Sequence, residues 1–303
     1  MKDIIPAVDR ALLKQELNEN VFVRTTRKGG NEIYIVDYHN SPNVIREIGR
    51  LREVSFRNSG GGTGKDIDLD DYDTSDTCYE QLIVWSPEDE EIIGGYRFIE
   101  CEKAITENEI HLSTAHYFKF GDKFIKEFLP KTIELGRSWV QPAFQPAVNP
   151  KKGLFALDNI WDGLGAIIRV RPHIEFFFGK VTMYPNYNRE GRNALLNFMN
   201  IYFPDQEELI SAYHPLDCDL NNPVYKEMFA SADFKEDFKK LNGYVRERGE
   251  FIPPLINIYM NLSPTMKTFG TAVNQEFGSV EETAILVRIA DIYEEKKARH
   301  VNY

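Results

Sequence analysis

Along the chain the hydrophobic period switches repeatedly between that of a strand and that of a helix. Residues 7–17 read as a helix. VFVRTT (21–26) and EIYIVDY (32–38) are rich in β-branched and aromatic residues, with the turn RKGGN between them, which predicts a hairpin. Ser41-Pro42 is a helix start, Ser as N-cap and Pro at the first helical position. Val44, Ile48, Leu51 and Ser55 then recur at helical spacing, so 42–57 is an amphipathic helix. The glycine- and aspartate-rich stretch 58–76 is a loop. CYEQLIVW (78–85) and EIIGGYRFIE (91–100) are strands of a second hairpin.

Residues 121–130 have helical character, TIELGRSWV (132–140) reads as a strand, and LDNIWDGLGAIIRV (157–170) as a helix. HIEFFFGKVTMY (173–184) is a strongly apolar strand, central in a sheet. EGRNALLNFMNIYF (190–203) is helical. Beyond 204 the pattern weakens: FIPPLINIYMNL (251–262) reads as helical after its prolines, and EETAILVRIADIY (281–293) fits strand and helix alike. This order of elements predicts a mixed α/β (α+β) sheet with helices on its faces.

Composition narrows the picture. Twenty Phe and fifteen Tyr in 303 residues supply a large core, an apolar cleft, or both. No uninterrupted apolar run approaches the ~18 residues of a membrane-spanning helix. MKDIIPAVDR carries charges of both signs and is not a secretory signal. The net charge of −11 opposes a nucleic-acid role, which needs a basic surface. Cys78, Cys101 and Cys218 have neither metal nor disulfide spacing, consistent with a reducing cytoplasm.

Several motifs attract attention and fail. SGGGTGK (59–65) lacks the first glycine of a phosphate loop, is followed by Asp66, and follows a helix, so it reads as a mobile loop. The aspartates from Asp66 match calcium-loop positions 1, 3 and 5, but Asp71 stands where Gly is needed and Thr77 where Glu is; a solvated acidic loop, or one that binds cationic partners, is the better reading. His214 and Asp219 form His-x4-Asp without the phosphate-binding segment that accompanies it in glycerolipid acyltransferases. The histidines show no ligand spacing, so no metal is expected, and no serine or cysteine nucleophile motif occurs.

Four charged groups interrupt apolar elements. Arg52 lies one turn after Ile48 and one before Phe56, flanking the helix stripe. Arg97 shares a strand face with Ile93, Gly95 and Ile99, where a guanidinium wants a carboxylate partner. Glu134 and Arg137 fall on opposite faces by strict alternation, and a β-bulge at Gly136 would bring them to one side. With Asp70 and Asp73 in the preceding loop, these groups predict a polar network beside an apolar cleft.

The ordered set R-x-x-x-F (52–56), D-x-D-x-D-D-Y-D (66–73), G-G-Y-R-F (94–98) and E-L-G-R (134–137) resembles the acyl-homoserine lactone synthases and ornithine-lipid N-acyltransferases of the GNAT superfamily. LDNIWDGLG, FFFGKVTMY and the C-terminal PPLINIY and FGTAVNQEFGSVEET look like a bacterial subgroup that acylates glycine to begin glycine-lipid synthesis, often labelled hemolysin. The resemblance implies a single GNAT-like domain over 1–303, with a core at about 20–205 and an extension at 206–303 completing the sheet. It implies a mostly antiparallel sheet with one splayed parallel strand pair, 132–140 and 174–183, whose gap takes the pantetheine arm.

The roles implied are these. Glu134 is the base and Arg137 orients the cluster. Arg52, Phe56, Asp70, Asp73 and Arg97 form the lid and its polar support, and Trp139 and Val140 contribute to substrate binding. The family's Gly-rich pyrophosphate loop is replaced by QPAFQPAVNPKKG (141–153), whose prolines lack amide donors. That favours an acyl carrier protein donor over coenzyme A, with Lys151, Lys152, Arg169 and Arg171 meeting the carrier, and no cofactor beyond its acyl-phosphopantetheine. The Trp that follows the Arg/Phe pair in lactone synthases is absent, so a lactone product is not expected. The implied reaction moves a long 3-hydroxyacyl group from the carrier to glycine in the cytoplasm, with a peripheral contact at the inner membrane face for product release. The rivals are ornithine as acceptor and a non-enzymatic, membrane-active hemolysin-like protein.

Overall fold

The computed structural model describes residues 1–106 and 109–303. Its elements, in chain order, are α1 (Arg10–Glu16), β1 (Phe22–Thr25), β2 (Glu32–Val36), α2 (Pro42–Asn58), α3 (Asp71–Thr74), β3 (Glu80–Ser86), β4 (Glu91–Glu100), β5 (Phe118–Phe120) and β6 (Thr132–Val140). There follow α4 (Pro150–Gly153), α5 (Ala156–Val170), β7 (Phe176–Met183), α6 (Arg189–Tyr202), β8 (Ile210–Ala212) and α7 (Pro223–Met228). The chain closes with α8 (Phe234–Glu247), α9 (Pro254–Met260), β9 (Lys267–Asn274), β10 (Val280–Arg288) and α10 (Glu294–His300). The fold is mixed α/β with mostly antiparallel strands. No helix among the described residues is long and apolar enough to cross a membrane.

The chain divides into two compact units. The first comprises Met1–Ser113, Lys131–Glu175 and Glu294–Tyr303, and the second Thr114–Pro130 and Phe176–Tyr293. The strands expected to diverge, β6 and β7, fall one in each.

Unit 1 is built on antiparallel strands in the order β1-β2-β3-β4-β6. Cross-strand pairing sets Leu82 opposite Tyr96 and Gln81 opposite Arg97, so adjacent pairs point to opposite faces. The apolar pair carries α5, whose Gly163 approaches the Leu82 side chain and the Tyr96 hydroxyl. The polar pair faces Arg52 on α2. A side chain at Gly95 would meet the Leu82 carbonyl oxygen at 2.2 Å, and one at Gly94 the Trp139 carbonyl oxygen at 2.4 Å. The double glycine thus lets β4 sit tightly between β3 and β6. α10 docks through Asp162, whose buried carboxylate accepts from His300 Nδ1 at 2.8 Å and from Arg27 N at 2.9 Å.

In unit 2, β10 lies between β7 and β9, antiparallel to both, and β5 pairs with β8. The ambiguous 281–293 stretch is therefore a strand as far as Arg288, followed by a 3-10 turn over Ile289–Asp291, and the apolar run of the strand reflects burial on both sides. Phe120, Phe124, Phe178 and Phe269 form one aromatic cluster. Residues 121–130 hold a short π-helix over Phe124–Phe128, with Phe124 buried against Phe178. α3, which falls in the stretch read as a loop, and α4, β5, β8, β9, α7, α8 and α10 have no counterpart in the sequence reading. Their segments are short, or rely on partners distant in sequence for their apolar faces.

Candidate active site

Three arginines and three aspartates meet on the α2 side of the unit 1 sheet. Helix α2 carries Arg52 as the sequence predicts, but the side chain is fully buried instead of flanking the stripe. Its guanidinium donates to both oxygens of Asp73, Nη1 to Oδ1 at 2.9 Å and Nη2 to Oδ2 at 3.1 Å, and its Nε donates to Asp68 Oδ2 at 3.0 Å. Asp73 also accepts from Gln81 Nε2 at 2.9 Å, Arg97 Nη1 at 3.2 Å and the amide of Asp70 at 3.1 Å. Arg97 donates to Asp70 at 2.7 Å, and Arg137 Nε reaches Asp68 Oδ2 at 3.0 Å. Three cations thus face three anions.

Ionisation is self-consistent in this lattice. Burial works against the charged forms of Asp68 and Asp73, but the guanidinium groups outweigh it and hold both carboxyls below their ordinary value. Arg97 is desolvated as well, and Asp73 and Asp70 nevertheless raise its pKa well above normal. A solvated acidic loop was expected at 66–76; instead Asp68 and Asp73 are fully buried, because each finds a fork of N–H donors there. Among the described residues no group of His, Cys, Asp and Glu is arranged to hold a metal ion.

The expected bulge is present, displaced by one residue. Arg97 pairs with Gly136 and Gly95 with Trp139, so β6 carries an extra residue between them. The left-handed backbone falls on Arg137, at φ 49°, and not on Gly136. Its ion pair to Asp68 holds a conformation that a β-strand residue ordinarily avoids. The bulge swings Arg137 onto the carboxylates that Arg52 and Arg97 also engage.

Glu134, on β6 before the bulge, is fully buried. Its Oε1 accepts from the Tyr79 hydroxyl at 2.9 Å and from the Ser113 hydroxyl. Tyr79 in turn accepts from the Ser113 amide at 3.0 Å. The Arg97 guanidinium lies over the Tyr79 ring at 5.1 Å and over Tyr72 at 5.5 Å, so Tyr79 joins the arginine lattice to Glu134. Burial and the neighbouring Glu134 push the Tyr79 hydroxyl well above its ordinary value and that of Tyr72 up to about 12.

The remaining candidates have other surroundings. Phe56 is buried on α2 one turn beyond Arg52, and its carbonyl accepts from Ser59 and Gly61. Trp139 and Val140 lie beyond the bulge, paired with Gly95 and Gly94. Arg171 forms ion pairs with Glu80 and Glu100, each at 2.9 Å, and Lys152 pairs with Asp89, while Lys151 is exposed on α4. Arg169 donates to the Tyr303 carbonyl at 3.4 Å.

The Gly-rich loop is pinned, not mobile. The buried Glu53 carboxylate accepts from the amides of Thr63 at 3.0 Å and Gly64 at 2.8 Å and from the Thr63 hydroxyl at 2.8 Å, so an internal carboxylate occupies the place a phosphate would take. Over 141–153 many amides are likewise engaged internally: Gln141 to Ile93, Phe144 to Gln141, Gln145 to Pro142, Val148 and Asn149 to Gln145, and Gly153 to Asn149. A side chain at Gly153 would meet the Pro146 nitrogen at 2.4 Å, so this glycine serves close packing of the chain on itself. His214 and Asp219 are both exposed, and Asp219 accepts from its own loop at Asn221.

Sequence reasoning missed Asp68 as a lattice member, and Tyr79, Ser113, Gln81 and Glu53. Tyr79 and Gln81 carried a signal, two polar-tipped residues at strand spacing on one face of an apolar run. Ser113 carried none, since it reaches Glu134 from a loop.

The acetyltransferase (GNAT) domain family matches residues 51–151, a span that starts just before Arg52 and contains the lattice and Glu134. A glycine N(alpha)-acyltransferase of Phocaeicola vulgatus is 49% identical over 303 residues, covering 99% of this chain and 93% of that protein. A glycine N(alpha)-acyltransferase of Bacteroides thetaiotaomicron is 52% identical over 309 residues, covering 99% of this chain and 90% of that protein. No solved structure matches the chain.

Proposed function

We propose that this chain, which belongs to the glycine N(alpha)-acyltransferase family and is an N-acyltransferase, transfers a long-chain 3-hydroxyacyl group from an acyl carrier protein thioester to the amine of glycine. The observation that carries the reading is Glu134, a buried carboxylate fixed by two hydroxyl donors beside a charge-balanced lattice. The amine must be neutral to attack. Glu134 takes its proton, directly or through water, as the nitrogen bonds to the thioester carbonyl carbon. Backbone amides stabilise the tetrahedral oxyanion, whose collapse breaks the C–S bond, and the thiolate leaves to be protonated. No covalent enzyme intermediate is required.

Glycine, in preference to ornithine, is supported by the names of both relatives. A carrier protein, in preference to coenzyme A, is supported by 141–153, where prolines and internally bonded amides replace a pyrophosphate cradle. Arg52, Asp70, Asp73, Arg97 and Arg137 act as the frame that holds the site's shape. Phe56, Trp139 and Val140 contribute apolar contact to the acyl-pantetheine arm. The product is an N-acylglycine, an amphiphile suited to lipid synthesis and to release at a membrane surface.

Glu134→Gln, assayed with an acyl carrier protein thioester and glycine, is expected to lose about 10²- to 10⁴-fold in N-acylglycine formation measured by mass spectrometry. Unchanged product would remove Glu134 from the base role. Parallel assays with acyl-coenzyme A and with ornithine decide donor and acceptor.

A further inference from the structure

We propose that Tyr79 and Ser113 are positioning residues that set the basicity of Glu134, a role resting on the reading of Glu134 as the base. The geometry gives this arrangement a direction. The Ser113 amide donates to the Tyr79 oxygen at 3.0 Å, so the phenolic proton is turned away from Ser113 and toward Glu134 Oε1, 2.9 Å distant. The Ser113 hydroxyl donates to the same Oε1. One carboxylate oxygen therefore receives two O–H donors from one preformed unit of backbone amide, phenol and serine.

The chemistry follows from what each contact favours. Glu134 is fully buried, and burial by itself favours the neutral acid, which cannot accept a proton. Hydrogen bonds donated to the ionised form oppose that trend. Tyr79 and Ser113 thus supply, at that depth, the donors that favour the charged form. Tyr79 is not itself the base, since its hydroxyl stays protonated and already donates to Glu134. Its ring holds the second half of the arrangement, packing under the Arg97 guanidinium at 5.1 Å and edge-on to Tyr72 at 5.5 Å.

The hydroxyl and the ring are separable. Tyr79→Phe deletes the donor and keeps the ring under Arg97, and Ser113→Ala deletes the other donor and keeps the backbone amide. Each is tested in the full-length protein with an acyl carrier protein thioester and glycine, following kcat/KM across the acid limb of the pH profile beside Glu134→Gln and the wild type. The lower break is expected to move upward by about one pH unit in each variant, because a donor to the charged form has been lost, with kcat/KM about tenfold lower on the acid side of that break. KM for the acyl donor is expected to stay within about twofold, so the loss falls on kcat. Should Tyr79→Phe fail to fold, as judged by thermal unfolding, Ser113→Ala decides. Profiles superimposable on the wild type, with Glu134→Gln inactive, would overturn the positioning role alone. An active Glu134→Gln would overturn the base reading and this inference with it.

Discussion

Asp73 receives five donors: two N–H groups of Arg52, one each from Gln81 and Arg97, and the amide of Asp70. A buried ion pair contributes little compared with an apolar replacement, but breaking one leaves a stranded charge, at a cost of about 3–5 kcal/mol. The folded-state pKa of Asp73 is depressed. Its contribution to stability is therefore complete above the unfolded carboxylate value of about 3.9 and is lost as pH falls through the lower folded value. Urea midpoints should decline from about pH 5 downward. Asp73→Asn should be less stable at neutral pH and show a flatter acid dependence. Arg52, Arg97, Glu134 and Arg137 were legible in the sequence because a charge inside an apolar period stands out. Asp68 was not singled out, because six aspartates share its loop and nothing local says which will meet a guanidinium.

At the scale of elements, the strands and helices with their own strong period were readable to within a few residues, as α2, β4, β6 and α5 show. The bulge was readable in kind, because Glu134 and Arg137 could share a side only by breaking alternation. Its placement was not, since the ion pair to Asp68 lets Arg137 take the left-handed position in place of Gly136. Gly95 is the sharper test of sheet geometry. Gly95→Ala puts a Cβ 2.2 Å from the Leu82 carbonyl oxygen, and backbone cannot yield as a side chain can. A loss of about 1–3 kcal/mol in denaturant unfolding is expected, together with reduced activity, because the strand that shifts also carries Arg97.

On the scale of the whole molecule, a net charge of −11 repels an acidic carrier protein unless a local basic patch receives it. Arg171 and Lys152 are committed to carboxylates of this chain, whereas Lys151 on α4 and Arg169, which donates to the Tyr303 carbonyl, are exposed cations of the proposed docking set. Lys151→Glu should raise KM for the carrier thioester roughly threefold to tenfold at low salt and leave KM for glycine unmoved. The difference should shrink as salt is added. An equal effect with acyl-coenzyme A would place Lys151 outside carrier recognition. The partition into units is also a property of this scale: unit 1 takes the last ten residues, Glu294–Tyr303, and unit 2 takes Thr114–Pro130 from within the first half.

The sequence by itself determined the mixed α/β class, the strands and helices with a strong period, and the identity of the charges that break it. Hydrophobic period and charge are local properties, written within ten or fifteen residues. Tertiary structure decided which carboxylate meets which guanidinium, that the acidic and Gly-rich loops are pinned from within, and that Tyr79 and a loop serine hold Glu134. Those contacts join residues 10 to 69 positions apart, and burial decides their energetics: a buried carboxylate is held by whichever donors the fold delivers to it.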